Sequence, residues 1–386
     1  MTSKVLYIWQ AKYPWEIRVE KVCHALRDAG HEVTLLARWK VGQALEENCQ
    51  GIRVIRVGRR LPAAASLPVP LNPVWAAAIR RTIEDLRPEL VLAREIMLVE
   101  PAASVCRQRG IPLIIDMAEH YPATMRAFDK YQRGIMGLLV FKLGVPDRVE
   151  RRAVSMADGV ITVCGEQNDR LHSQFGYLHD RMAVVHNTPE LSTFDRVRLG
   201  SQVPPRVFAY HGMITTQRGL DRLIGGFALI APRHPEIRLE IAGGGDRLAA
   251  LKRLAEDRGI SDQVRFVGSY RFDELTALYS TTDVGLVTYP VDESIDHTIG
   301  NKLFDYFACG KPVIVSPASP LRRVIEETGA GLVLDGCTPQ AIAEGLNQAL
   351  RLDPAPFAER GLAAARGKYN WANDRRVLLD FLARYR

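Results

Sequence analysis

Short apolar, β-branched runs alternate with stretches of helical periodicity from one end of the chain to the other. In the first half the strand-like runs are 5–9, 32–37, 52–57, 90–93, 112–116, 159–163 and 183–186. Helical patterns fall at 18–29, 72–86 and 97–109, the first and last followed by Gly30 and Gly110, the residue type that most easily ends a helix in a left-handed turn. The second half repeats the plan, with strands at 207–210, 238–242, 264–267, 284–288, 312–315 and 331–334. Its helices are expected at 220–230, 247–258, 272–280, 302–308, 321–327 and 339–351. Several strand runs are almost wholly apolar, as parallel strands covered on both faces must be. The alternation predicts an α/β fold of two doubly wound, Rossmann-like domains. We expect an N-terminal domain at 1–190, a linker at 191–204, a second domain at 205–368 and a C-terminal helix at 369–386 that packs back on the first domain. In an open α/β sheet the ligand sits beyond the carboxyl ends of the strands. Two such edges facing across a cleft would suit an enzyme with two substrates that closes about a hinge.

Composition narrows this picture without redirecting it. The 386 residues are 47% hydrophobic and 25% charged, which excludes a disordered chain, a collagen-like fibre and a small disulfide scaffold. Lys and Arg number 51 against 44 Asp and Glu, a net charge of +7. That mild excess suits an anionic small molecule or an anionic membrane surface. No basic run with interleaved aromatics is present, so no nucleic acid partner is expected. Cys23, Cys49, Cys106, Cys164, Cys309 and Cys337 are too far apart for CxxC metal or redox chemistry, and reduced thiols are expected. The chain opens directly into a strand, and its longest apolar stretch, 134–145, is interrupted by Lys142. Neither a signal peptide nor a membrane span is expected, which points to a cytoplasmic protein.

Candidate chemistry concentrates in the second half. The turn from His211 to Gly219 joins a strand to a helix and carries Gly212 and Arg218. Backbone NH groups at a helix start bind anions, and an arginine fork grips a diphosphate; an ordinary loop with a surface arginine has the same spelling. Ala242-Gly243-Gly244-Gly245-Asp246 follows a strand, where glycines leave room for a ligand or merely make a tight turn. The strongest segment runs from His297 to Ile314. A short helix is expected to start near Asn301 as its cap, with Lys302 facing a negative charge and Asp305 one turn further on. A diphosphate at the helix start and a ribose held by Asp305 would make a nucleotide clamp. A buried helix with a Lys302–Asp305 ion pair is the other reading.

These segments together resemble the donor domain of GT-B glycosyltransferases, specifically the large retaining family 4 (glycosyl transferases group 1). The resemblance rests on Gly212 through Arg218-Gly219, on Ala242-Gly243-Gly244-Gly245, on Val264-Arg265-Phe266-Val267-Gly268, and on Asn301 through Val313. Gly30-His31-Glu32-Val33, the run 157–163 and His186-Asn187 match the family's first half more loosely. The resemblance implies that Arg218 and Lys302 neutralise the donor diphosphate and that Asp305 holds the ribose. It implies that Gly212, Gly219, Gly243, Gly244, Phe266, Gly268, Gly300 and Asn301 border the donor. His297 stands where the family has the first glutamate of its E-x7-E pattern, leaving Glu293, Asp296 and the 298–301 backbone as candidates for the sugar. Met213 takes the place of a frequent arginine. Asp116-Met117-Ala118-Glu119-His120 resembles the family's D-x-H-E segment, and Glu119 and His120 are expected to face the cleft in catalytic roles, against a purely structural alternative. Tyr13-Pro14-Trp15-Glu16-Ile17-Arg18 replaces a glycine pair that approaches the diphosphate in relatives, with Arg18 as the substitute.

The implied function is metal-independent transfer, with retention, of a sugar from a nucleotide-diphosphate sugar to a saccharide or lipid-linked acceptor. Cell-surface polysaccharide or glycolipid assembly is the implied setting, with no cofactor besides the donor substrate. A sugar-nucleotide epimerase on the same fold and a degenerate, non-catalytic sugar-nucleotide-binding protein are the rival readings. Residues 126–152 add a membrane expectation: Arg126, Lys130, Arg133, Lys142, Arg148, Arg151 and Arg152, against Asp129, Asp147 and Glu150, flank an apolar run. Peripheral docking on the inner face of the cell membrane and a core helix with solvated ends both fit. The 61–73 connection, rich in Pro and Ala, reads as a mobile acceptor loop or a plain connection.

Overall fold

A computed structural model describes all residues except 1, 15, 60, 63–64, 129–130, 198–199, 201, 272–273 and 386. The chain divides into two units, Met1–Val185 with Arg375–Arg386, and His186–Asp374. The division therefore falls earlier than the expected 190, and the expected linker belongs to the second unit. Backbone NH groups of Gln202, Arg206 and Val207 donate to Asp283, Lys311 donates to Gly200 O at 2.6 Å, and Trp371 NH donates to Pro189 O at 2.9 Å. Asp374 accepts from His186 NH at 3.1 Å and from the Thr188 hydroxyl. A segment that supplies this many donors and acceptors to one body has little freedom to act as a linker.

The first unit holds an eight-stranded sheet: β1 (Lys4–Lys12), β2 (Glu32–Arg38), β3 (Glu46–Cys49), β4 (Ile52–Val57), β5 (Leu90–Arg94), β6 (Leu113–Asp116), β7 (Gly159–Thr162) and β8 (Met182–Val184). Their order is β3-β4-β2-β1-β5-β6-β7-β8, parallel throughout except for the β3–β4 hairpin. All five residues of β5 are buried, the signature of a central strand covered on both faces. β3 escapes the apolar pattern because it is a polar edge strand, Glu46-Glu47-Asn48-Cys49, joined to β4 through Gln50 and Gly51, both at positive φ. The Pro73–Leu86 helix starts as expected, with Asn72 Oδ1 accepting from Val74 NH at 2.9 Å. The same Asn72 donates to Ala65 O and Leu67 O, and Trp75 Nε1 donates to Ser66 O, so the described part of the 61–73 segment is a pinned connection. The helices Tyr121–Ala127, Val145–Met156 and Gly165–Phe175 are additional to those expected. From Arg375 onward the last helix, Trp371–Leu382, counts with this unit, where Leu378, Phe381 and Leu382 are buried.

The second unit has six parallel strands: β9 (Val207–His211), β10 (Arg238–Ala242), β11 (Val264–Gly268), β12 (Val284–Val287), β13 (Val313–Val315) and β14 (Gly331–Val333). Their order, β11-β10-β9-β12-β13-β14, puts the topological switch between β9 and β12. Helices Leu220–Ile230 and Pro339–Arg351 lie where the periodicity places them. The helix expected at 272–280 is seen as Leu275–Thr281, and Phe272 lies outside the described residues. Ala355–Gly367, a helix of small residues with little apolar contrast, is an addition.

Candidate functional site

In the second unit the strand ends at the switch point carry an aromatic and charged cluster. β9 ends in His211, which is fully buried. The Tyr306 hydroxyl donates to Ala209 O at 2.8 Å, and its oxygen lies 3.1 Å from His211 Nδ1. A carbonyl can only accept, so that hydroxyl proton is committed and Nδ1 must be the donor to the Tyr306 oxygen. Nε2 is therefore a bare lone pair, buried and, among the described residues, without a hydrogen-bond partner. Burial and then the nearby Lys302 charge push the His211 pKa down to about 3, which keeps the ring neutral. Tyr279 packs edge-on against it at 4.7 Å between ring centroids.

Lys302 and Asp305 sit on the Asn301–Ala308 helix. The helix starts one residue earlier than expected: Gly300 is the N-cap and Asn301 its first residue. Asn301 serves another end, donating Nδ2 to Asp305 Oδ2 at 3.3 Å. The same oxygen accepts from Lys302 Nζ and Tyr279 Oη, both at 3.2 Å. Asp305 is 5% exposed, and among the described residues its Oδ1 accepts no hydrogen bond. Burial works against the Lys302 charge, but Asp305, Tyr270 and Tyr289 outweigh it and hold its pKa above the ordinary lysine value.

Arg218 ends the short Thr216–Arg218 turn and places its guanidinium 4.7 Å from the centre of the Tyr289 ring. Tyr289 thus lies within the electrostatic reach of both cations. Gly219, at φ +61, starts the next helix, and a Cβ there would lie 2.7 Å from Pro290, so the loops after β9 and β12 pack directly on each other. Gly243 is closely packed on its Cβ side. At φ +148 its Cβ would fall 1.7 Å from Gly212 O, and one on Gly244 would fall 2.2 Å from Ser269 Oγ. The space beside these two glycines is filled by the neighbouring strand-end loops. Beside Gly268 and Gly300, in contrast, nothing lies within 4 Å of a built Cβ. Phe266 is half-buried on β11. His297 is also half-buried, its Nδ1 2.8 Å from Glu293 O. Asp296 is engaged elsewhere, accepting from Ser319 NH at 2.8 Å at the start of the Ser319–Thr328 helix.

The first-unit expectations meet a different environment. Asp116 takes a forked contact from Arg18, Nη2 to Oδ1 at 2.7 Å and Nε at 2.9 Å, and accepts from Tyr7 at 2.5 Å. Arg18 Nη1 donates to Val185 O at 2.9 Å. Buried and committed in this way, Arg18 is a fastener between strand ends and not a substitute diphosphate contact; Trp15 in the same loop lies outside the described residues. Burial opposes the Asp116 charge, but Arg18 and Arg94 hold its carboxyl below the ordinary range. Glu119 is exposed. His120 is 2% exposed, with Nε2 3.9 Å from a Glu150 carboxylate that Arg170 grips at 2.7 and 2.9 Å. Its ring belongs to a buried charge network, so the two adjacent residues do not present one joint surface.

Residues 16–188 match the family model for the glycosyl transferase 4-like domain, and residues 192–366 the model for glycosyl transferases group 1. The chain belongs to this family, and its fold is the two-domain GT-B fold. A sucrose-phosphate synthase from Thermosynechococcus elongatus superposes with a TM-score of 0.76 at 18% identity, over 99% of this chain and 98% of that one. HepE of Anabaena, solved in complex with UDP, gives 0.71 at 15% identity, over 99% and 100%. A D-inositol 3-phosphate glycosyltransferase of Corynebacterium urealyticum is 31% identical over 249 residues, which are 60% of this chain and 58% of that protein. The chain spans about half the length of the curated relatives it matches, from 49% to 58%.

The sequence reading missed His211, Tyr279, Tyr289 and Tyr306 as members of the cluster. Two of them sit just at or beyond the carboxyl ends of β9 and β12, where the strand pattern itself marks the switch point.

Proposed function

We propose that the protein transfers a sugar from a nucleotide-diphosphate sugar to a saccharide or lipid-linked acceptor. The observation that carries this is the cluster of Lys302, Asn301, Asp305 and Tyr279 at the start of the Asn301–Ala308 helix, with Arg218 held over Tyr289 beside it. The chemistry follows from the residue types. Breaking the bond to the anomeric carbon loads negative charge onto the departing diphosphate. Preorganised cations and helix-start NH groups in a poorly hydrated site stabilise that charge. Asp305, with one oxygen saturated and the other without a partner, suits a ribose hydroxyl. Because Lys302 and Arg218 supply the neutralising charge, the reaction needs no divalent ion. Transfer with retention fits a site whose chemistry is concentrated on the leaving group, with the diphosphate itself helping to deprotonate the acceptor on the same face.

A lipid-linked acceptor is supported by the Gly134–Gly137 and Leu138–Lys142 helical turns. Ile135 is 73% exposed, and Leu138, Phe141 and Leu143 are exposed beside it, with Arg133, Lys142, Arg148 and Arg151 exposed around them. This is an apolar ridge in a basic surround and not a core helix, the combination that docks on anionic lipid. Arg126 and Arg152 are engaged with Asp147 and Glu100, and Asp129 and Lys130 lie outside the described residues. No described helix is long and apolar enough to cross a membrane. Cell-surface polysaccharide or glycolipid assembly is the setting such a surface would serve.

Titration calorimetry with UDP, GDP, ADP and dTDP tests the donor reading. One of the four should bind, and Asp305→Ala and Lys302→Ala should each weaken it tenfold or more. Failure of all four to bind the folded wild type would sink it.

A further inference from the structure

The second unit holds a cavity of about 160 Å³ that the donor chemistry does not use. Leu191, Phe194 and Val197 reach it from the segment before β9, and Leu362 and Ala365 from the Ala355–Gly367 helix. Ala308, the last residue of the Asn301–Ala308 helix, lines it too. At 1.5 Å per residue Ala308 lies about 10 Å along that helix from its start, so the cavity is separate from the cluster around Lys302. Phe194, Val197, Ala308 and Ala365 are buried, which gives the cavity apolar walls. Asp195 and Arg366 complete the lining, and both are exposed, which puts them at its mouth. Among the described residues neither side chain makes an ion pair or a hydrogen bond, with the other or with any third group.

Size, walls and charge each select an occupant. A cavity of about 150 Å³ walled by leucine, isoleucine and phenylalanine takes up benzene. A phenyl ring is therefore the right filling here, and it supplies the contacts that apolar walls gain from a close-packed neighbour. An arginine without a partner favours a carboxylate, which its planar fork holds through two parallel hydrogen bonds, and an aspartate without a partner favours an ammonium group. Opposite charges that line one mouth without pairing leave a place between them for a group that bears both signs. A phenyl ring, a carboxylate and an ammonium group on one small molecule describe an aromatic α-amino acid. Tyrosine would bury its hydroxyl among apolar walls, so the phenylalanine side chain is favoured over it.

We propose that this cavity binds a free aromatic amino acid, with its ring between Phe194 and Leu362, its carboxylate on Arg366 and its ammonium on Asp195, and that the Asn301–Ala308 helix senses the occupant. The site goes beyond the sugar-transfer reading and does not depend on it. Two contacts carry the link to the helix. Ala308 is at once a wall of the cavity and the end of that helix. Phe194 packs edge-on against Tyr279 with 5.4 Å between ring centroids, and Tyr279 Oη donates to Asp305 Oδ2 at 3.2 Å. A ligand that fixes Phe194 and Ala308 thus bears on the Asp305 side chain from behind. Such coupling between two sites is reciprocal, so whatever orders the helix also strengthens the amino acid's hold.

Saturation-transfer NMR and amide hydrogen exchange on the full chain provide the test. The probes are L-phenylalanine, L-tyrosine, L-alanine, 3-phenylpropionate and 2-phenylethylamine. L-phenylalanine should bind, and each of the others at least fivefold more weakly. Arg366→Ala and Asp195→Ala, both at exposed positions, should each lower its affinity fivefold or more, and Leu362→Trp should abolish binding by filling the cavity. Saturating L-phenylalanine should slow exchange at least twofold in residues 191–197, in the Ala355–Gly367 helix and in the Asn301–Ala308 helix. Should Leu362→Trp fail to fold, the two mouth variants carry the same expectation. The proposal is overturned if L-phenylalanine does not bind wild type, if the folded variants bind it like wild type, or if 3-phenylpropionate or 2-phenylethylamine binds as tightly. Binding that leaves exchange in the Asn301–Ala308 helix unchanged overturns the link to that helix. No nucleotide enters the experiment, so its failure and the failure of the donor reading are told apart.

Discussion

At the scale of single residues, burial decides what each candidate can do. Arg18 and Lys302 are both cations near strand or helix ends, and the spelling of the chain does not separate them. Arg18 is locked by Asp116 and Val185 O, whereas Lys302 meets Asp305, whose other oxygen accepts no hydrogen bond among the described residues. Removing one preorganised donor to a developing oxyanion usually costs ~10²–10³ in turnover, so Lys302→Ala should lose about that much with its melting temperature little changed. Gly243→Ala should act oppositely, lowering stability by roughly 3 kcal/mol or more through overpacking against Gly212 O. His211 makes a pH prediction. Its folded pKa, about 3, lies below the unfolded value near 6.5, so the unfolded chain binds the extra proton between them. Stability should fall as the pH drops through that window, and His211→Phe should flatten this slope in thermal melts. A flat wild-type profile would contradict the neutral, single-tautomer assignment. Much of the proposed donor site was legible because Asn301, Lys302 and Asp305 lie within one helical turn and a half. His211, Tyr279 and Tyr289 were not, because only the fold of the sheet gathers them.

At the scale of elements, what could be read was contrast. β5, β9 and β10 announce themselves as buried parallel strands, and Leu220–Ile230 and Pro339–Arg351 as helices with one apolar face. β3 has three polar residues and a cysteine with no apolar run, and the Ala355–Gly367 helix buries mostly small side chains, so neither interrupts the pattern around it. The packing of the glycines after β10 was not legible for a related reason: a strand-end glycine looks the same in sequence whatever lies on its Cβ side, and at Gly243 that is the Gly212 backbone of the loop from β9. The Gly134–Lys142 region leads to a test at this scale. Wild-type protein should float with vesicles containing phosphatidylglycerol, and Ile135→Glu combined with Phe141→Glu should remain in the lower fraction. If wild type never floats, the docking surface is wrong.

At the scale of the whole molecule, the two units share one topological plan. Each has its switch point at the first strand of its sheet, β1 or β9, and each holds there a buried acceptor atom without a hydrogen-bond partner among the described residues, Glu95 Oε2 or His211 Nε2. The second unit gathers Lys302 and the Tyr279 and Tyr306 phenols about His211. The first places Arg94, Asp116 and the Tyr7 phenol about its own. The two-domain plan was readable from the alternation of strands and helices, but the boundary was not, since residues 186–204 look irregular in sequence, while Thr188, Gly200 and Gln202 are tied down by Asp374, Lys311 and Asp283. EDTA should leave turnover intact, and a strict metal requirement would remove charge neutralisation by Lys302 and Arg218 from the mechanism. The most direct measurement is a crystal structure with the nucleoside diphosphate that calorimetry selects. It should show the diphosphate against Lys302 and the first turn of the Asn301–Ala308 helix, with a ribose hydroxyl on Asp305. A diphosphate bound elsewhere, with the Lys302–Asp305 pair still closed, would contradict the account.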